Sequence, residues 1–309
     1  MLAILEKPSA NPLGRVRLQR GMLTLAFVAG EAPPTRPDRK VNEWLDDHGA
    51  VVARAFSSED RHWIDWPTLG VFAFSNRTRE VQVWPKPNAQ REAIVDAFCR
   101  MLQPVVLQAL EWQALHASAA IGPAGLFAFC GNAGSGKSTL AFAMQQVGWR
   151  QFADDAVVLR LDRDRVMACP LPFAPGLRPA SRAQFTKMSH PSPSPASLGQ
   201  STEVPLTAII LLQQNSGLTS PRISLMSRAR AFPELLAHAH CFAAEDRTHT
   251  RRLVNDYLGI SARVHAFTLE YAPDFQQLRQ LTSTVVDAAT GINPSTVVAS
   301  GVRPVSMVP

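Results

Sequence analysis

No stretch of this 309-residue chain is long and apolar enough to cross a bilayer. Its longest apolar run, Leu206 to Leu212, contains Thr207 and stops far short of the roughly 20 residues that a spanning helix needs, so no membrane partner is expected. No secretory leader is expected either. Glu6 follows a very short apolar run, with no basic segment before it and no small-residue cleavage site after it. Cysteine is sparse: Cys99, Cys130, Cys169 and Cys241 are scattered, with no C-x-x-C pair and no histidine at metal-ligand spacing. That pattern argues against a disulfide scaffold or a zinc site and points to reduced core thiols in a cytoplasmic protein. No basic helix interleaved with aromatic residues is visible, and nucleic acid is not expected as a partner.

What is present is enough apolar matter for a substantial core, 46% of the residues. The net charge of +6 suits an anionic partner, as does a pI near 9.5. The arginines are dispersed, and the densest set (Arg160, Arg163, Arg165) alternates with Asp162 and Asp164 as at a solvated strand end.

Along the chain, residues 1–112 read as a small strand-rich module followed by a linking helix. Strand-like runs fall at Val16 to Leu18, Met22 to Val28, Val71 to Phe74 and Val81 to Trp84, separated by turn clusters. Trp63 and Trp66 read as aromatic packing under a sheet, or as an exposed pair that holds a peptide. Helical spacing over Ala89 to Glu111 is interrupted at Pro104, which predicts a kink or two short helices. Residues 113–288 then alternate strands and helices as an α/β nucleotide-binding core does. Within them a buried strand is expected over Pro205 to Leu212, a helix over Ala229 to Phe242, a strand over Val264 to Tyr271 and a helix over Ala272 to Asp287. Prolines 191, 193 and 195 predict an irregular loop from Ser189 to Ser201, and residues 289–309 a flexible tail.

The strongest local signal is Gly131-Asn132-Ala133-Gly134-Ser135-Gly136-Lys137-Ser138, which fits G-x-x-x-x-G-K-S between a strand-like run and a helix-like run that opens with Thr139. Such a loop turns tightly on its glycines and aims backbone N–H groups, backed by a helix N-terminus, at phosphate oxygens. Lys137 would bridge the β- and γ-phosphates, and Ser138 would bind magnesium. A carboxylate is also required. Asp162 follows a half-apolar strand but sits in a charged string that reads as a hairpin tip, whereas Asp154 and Asp155 lie one helix beyond the loop. His116 precedes a Gly122-Pro123 turn and the loop's own strand, so an antiparallel hairpin would bring it level with the cradle.

The run from LHASA through GNAGSGKSTLA to GWRQFADD resembles the catalytic core of the bacterial HPr kinase/phosphorylase family, which carries a histidine, a P-loop and an acidic pair in this order. His116 stands 21 residues before Lys137, and Asp154 stands 17 after it. The resemblance implies a P-loop kinase fold of the type shared with phosphoenolpyruvate carboxykinase. It further implies ATP with magnesium as donor and a serine hydroxyl of a small protein as acceptor. Carried onto this chain, it makes Asp154 the catalytic base with His116 beside it, and gives Asp155 a part in holding magnesium or substrate. It covers residues 113–180. The E-x-R-G-x-G signature tied to phosphorolysis is absent, the corresponding stretch being MACPLPFAPGLRPAS, so the resemblance does not extend to a reverse reaction. The layout is similar to HPr-kinase-related proteins of peptide-modification clusters, including lasso-peptide kinases, which implies a precursor peptide as acceptor. A small-molecule hydroxyl kinase and a non-catalytic ATP-binding regulator are the alternatives. Arg178 reads as a phosphate contact or a surface arginine.

Overall fold

The computed structural model describes residues 16–20, 22–171 and 203–292. The loop expected at Ser189 to Ser201, Arg178 and residues 293–309 of the expected tail lie outside the described residues, as do most of the residues aligned with the missing signature; the first residues of that tail, Ala289 and Thr290, belong to the last helix instead.

Seven strands form the first sheet: β1 (Val16–Arg20), β2 (Leu23–Phe27), β3 (Lys40–Leu45), β4 (Val51–Ser57), β5 (Arg61–Trp66), β6 (Gly70–Ser75) and β7 (Glu80–Pro85). Their order is β1-β2-β7-β6-β5-β4-β3, antiparallel except for the β2–β7 pair. Period-two burial drives the pairing. In β6 the residues Gly70, Phe72 and Phe74 are buried while Val71, Ala73 and Ser75 are half-buried. The sequence reading assigned nothing to β3, β4 and β5. Trp63 and Trp66 turn out to be strand residues; Trp63 is buried and Trp66 packs on the core, which decides for packing over an exposed pair.

Phe72, Ile64, Leu25 and Val81 pack against Ile94, Phe98, Leu102 and Val106 of the linking helices. Those helices are α1 (Arg91–Ala97), a π-helical turn (Phe98–Leu102) and α2 (Gln103–Ala109). Pro104 lies in the first turn of α2 and has no N–H to return to the Arg100 carbonyl. The chain answers with a widened turn rather than a break. This core runs on without interruption into Ala114, Val158, Cys169 and Phe242 of the second half, so the front sheet and the second sheet share apolar packing.

The second sheet contains β8 (Gln113–Leu115), β9 (Ala117–Gly122), β10 (Gly125–Cys130), β11 (Arg150–Ala153), β12 (Val157–Asp162), β13 (Arg165–Cys169), β14 (Val204–Gln214), β15 (Arg222–Leu225) and β16 (His265–Tyr271). β10, β14 and β16 run parallel; β9 and β11 extend one side antiparallel, and β15 closes the other. An antiparallel β8-β12-β13 arm joins the start of β14 through Met167 and Ala168. The result is a mixed α/β architecture. Alternate residues of β10 face opposite layers. Leu126, Ala128 and Cys130 pack toward α4 (Arg228–Ala237) and α5 (Arg247–Arg263), whereas Phe127 and Phe129 pack toward α3 (Lys137–Met144) and α6 (Leu278–Thr290).

Two helices depart from the sequence reading. The helix expected to reach Phe242 ends at Ala237. Beyond it the chain pairs with the end of β8: Leu115 bridges Ala239, His116 N–H donates to the His238 carbonyl (2.8 Å), and His240 N–H donates to that of Ala114 (2.8 Å). The helix expected from Ala272 begins at Leu278, because Asp274 caps a separate short turn, Phe275–Gln277. α5 has no counterpart among the elements expected from the sequence. The four cysteines are unbridged. No helix among the described residues is long and apolar enough to cross a membrane.

The β9–β10 turn is tight enough to test. A Cβ on Gly122 would lie 2.3 Å from the Trp149 ring. Gly122→Ala should therefore destabilise the chain by about 1–3 kcal/mol, read as a lower urea midpoint at unchanged slope. An unchanged midpoint would mean that the indole moves aside freely.

Candidate active site

The cradle is built by steric necessity at the end of β10. Gly131 has φ +148°, and a Cβ there would lie 2.6 Å from Ser135 Oγ and 2.9 Å from the Leu212 carbonyl. Gly134 and Gly136 both take φ +86°. These left-handed residues curl the loop so that α3 starts at Lys137, directly after Gly136. Neighbouring strand ends brace the loop from outside. The Tyr271 hydroxyl donates to the Ser135 carbonyl, and Gln214 Nε2 donates to that of Gly134 (3.1 Å). The Lys137 ammonium folds back over the loop and donates to the Gly131 carbonyl at 2.8 Å and to that of Asn132 at 3.3 Å. Loop curvature and a helix N-terminus beside a buried ammonium make an anion site.

The β9–β10 register sets Ala117 opposite Cys130, which brings His116 next to the start of the loop. His116 lines a cavity of about 370 Å³ together with Gly134, Lys137, Ser138, Thr139 and Asp155. Its imidazole is reachable from the mouth, yet the cavity walls desolvate it. With the positive charges of Lys137 and His238 added, its pKa is pushed down to about 4. It is neutral near pH 7.

The acidic pair follows β11. Asp154 is buried and its Oδ1 accepts from Ser118 Oγ at 2.7 Å; Ser118 Oγ is in turn 3.4 Å from Ser138 Oγ. Asp155 takes φ +65°, a conformation that costs a non-glycine residue energy. Asp155 lines the cavity, and Asp154 is not among its lining residues. Burial first, and then the charge of Asp154, raises the Asp155 pKa from its ordinary value. Asp162 stands apart. It pairs with Arg165 across the β12–β13 hairpin, 3.9 Å from Arg160, as its charged string suggested.

Several residues of the site escaped the sequence reading. Ser118 lies in β9, two positions after His116, which itself stands in the bend between β8 and β9. Arg100 had no readable signal: it reaches Asp155 (3.7 Å) from the π-helical turn while Asp96 holds its Nε at 2.7 Å. His240 sits with its ring 6.0 Å from that of His116, its Nε2 buried without a partner, and its pKa pushed down to about 4 by burial. For a magnesium ion the donors on offer are the Ser138 hydroxyl and the two carboxylates. These are hard oxygens, few in number, as suits an ion that keeps waters and phosphate oxygens in its shell. No cluster of three or more histidine, cysteine or acidic side chains able to hold a metal occurs among the described residues.

No protein-family model matches this sequence, and no curated protein matches it. Among solved structures the chain is similar to the HPr(Ser) kinase/phosphatase from Coxiella burnetii at 10% identity and a TM-score of 0.32, over 58% of this chain and 97% of that one. A likeness this distant decides neither fold nor activity.

The histidines impose a pH dependence on stability. His116 and His240 have pKa values near 4 in the fold against an ordinary 6.5, so the unfolded chain binds more protons between those values. Stability should be complete above about pH 6.5 and fall as pH drops toward 4. His240→Asn should flatten that acid-side loss in melting curves taken from pH 4 to 8. An equally steep loss in the variant would show that other groups carry it.

Proposed function

We propose that this chain is an ATP-dependent kinase that moves the γ-phosphoryl group to a hydroxyl, the acceptor being a serine of a peptide or small protein. The observation that carries the reading is convergence. Lys137, Ser138, His116 and Asp155 line one cavity, and Asp154 stands one serine away from Ser138. A module that only bound nucleotide would need the cradle but not a carboxylate with a raised pKa beside it. The serine acceptor and the peptide or small-protein class come from the resemblance of the LHASA, GKS and DD motifs to HPr-kinase-like enzymes.

In this mechanism the acceptor oxygen forms a bond to the γ-phosphorus as the bond to the β–γ bridging oxygen breaks, and ADP leaves. The hydroxyl proton passes to a carboxylate. The resemblance would give that task to Asp154, but the geometry favours Asp155, which lines the cavity beside Lys137 and Ser138. Asp154, hydrogen-bonded through Ser118 toward Ser138, is better placed to act with Ser138. Those two would hold magnesium, whose charge offsets that of the phosphates. Lys137 spreads charge on the transferring group, and neutral His116 offers a hydrogen bond without competing for it.

The test uses γ-labelled ATP, magnesium and the short peptides encoded beside this gene. Label on a serine is the expected result, and ATP binding with no transfer to any hydroxyl would leave a binding protein. Lys137→Ala should weaken nucleotide binding and abolish transfer. Asp155→Asn should lower kcat about 10²–10⁴-fold at an unchanged magnesium requirement, while Asp154→Asn should raise that requirement. The opposite pattern would exchange the two roles.

A further inference from the structure

β9 carries a single polar side chain, Ser118, in the run ASAAIG. The alternation of the strand places it. Ala117 and Ala119 belong to the layer packed with α4 and α5, and Ala120 to the layer packed with α3, so Ser118 stands on the α3 side. It is fully buried there. A buried hydroxyl among alanines costs stability unless it is bonded, and for packing alone an alanine would serve better. Ser118 is bonded both as donor and as acceptor.

Its one hydrogen is engaged by the carboxylate, since Ser118 Oγ donates to Asp154 Oδ1 at 2.7 Å. The second contact, with Ser138 Oγ at 3.4 Å, is then left with one possible donor. A hydroxyl has one hydrogen and two lone pairs, so Ser118 accepts in that contact and Ser138 donates. The bonds run in a single direction, from Ser138 to Ser118 to Asp154. That direction matters to a metal. Magnesium is held through oxygen lone pairs, and a hydroxyl whose hydrogen points at the ion is no ligand. Ser138, the second residue of α3, is half-buried and lines the cavity. With its hydrogen drawn back toward β9, its lone pairs are turned to the cavity side. Neither Ser138 nor Asp154 needs Ser118 in order to be present; what Ser118 adds is orientation, as groups behind a metal's ligands do.

We propose that Ser118 is a positioning residue for the magnesium site: it accepts the Ser138 hydrogen, donates its own to Asp154, and so holds Ser138 as a metal ligand before the ion arrives. This rests on the reading of Ser138 and Asp154 as the residues that hold magnesium, and the readouts keep the two claims apart. The full-length chain is titrated with ATP in chelator and again in excess magnesium; the ratio of the two dissociation constants is the factor by which the metal tightens the nucleotide. Ser118→Ala should cut that factor about tenfold and leave the metal-free constant unchanged. Ser118→Cys fills the same space with a weaker donor and acceptor and should lose the factor too, which separates lost bonding from lost packing. Ser118→Thr brings back a hydroxyl and should recover most of it. In a Ser138→Ala background, with no hydroxyl left to orient, Ser118→Ala should cost nothing further. An undiminished factor in Ser118→Ala and Ser118→Cys would overturn the role of Ser118 and leave the magnesium reading standing, as would a second loss of about tenfold on top of Ser138→Ala. Magnesium without effect on ATP binding in the unaltered chain would overturn the magnesium reading and the role of Ser118 with it.

Discussion

The pairing of β9 with β10 is the constraint on which the rest depends. Six residue pairs, from Ala117–Cys130 to Gly122–Gly125, fix where β9, which follows directly on His116, stands against the loop strand. Because side chains alternate along a strand, this register sends Ser118 to one face and Ala117 to the other, and a slip of one residue would exchange them. With Ser118 in place, the hydroxyl–carboxylate link to Asp154 closes from a strand that pairs on the far side of β9. The turn is narrow enough that Trp149 fills the space a Gly122 side chain would occupy. The site is assembled by strand pairing, and its side chains have little freedom left to lose on binding.

Electrostatics are arranged around one buried ammonium. Lys137 sits at a helix N-terminus, where its positive charge is unfavourable until an anion arrives, and in the structure it leans on two carbonyls of its own loop. The neighbouring histidines stay neutral under its influence and that of burial, so they add no further positive charge. The acidic pair lies on the other flank, with Arg100 brought from the linking helices to offset part of its charge. That arginine ties the front module to the site. It stands in the widened turn that directly precedes the Pro104 helix and reaches the cavity wall from there.

The parts legible in the sequence were those with local causes. The loop from Gly131 to Ser138 is contiguous, its glycines are required by φ alone, and its flanking strand and helix fall where the apolar pattern set them. The hairpin is legible from Gly122-Pro123, and the charged string around Asp162 reads as the hairpin tip it forms. Parts with distant causes were not. α5 buries only Leu253, Tyr257, Ile260 and Ser261 among many polar residues, so its stripe is narrow and its Asp246 cap is easily passed over. The early end of α4 is dictated by a bridge to Leu115, more than a hundred residues away in sequence. Asp155, the aspartate that lines the cavity, takes a positive φ, a conformation that no residue type announces. Tyr271 and Gln214 brace the loop from strand ends whose neighbours only the sheet order reveals.

The central claim, that His116 and the cradle meet around one triphosphate, can be read from proton resonances of the full-length chain bound to manganese–ATP. The paramagnetic ion should broaden the ring signals of His116. Those of His265, about 20 Å from Tyr271 at the opposite end of β16, should stay sharp. Equal broadening of both, or of neither, would contradict the account.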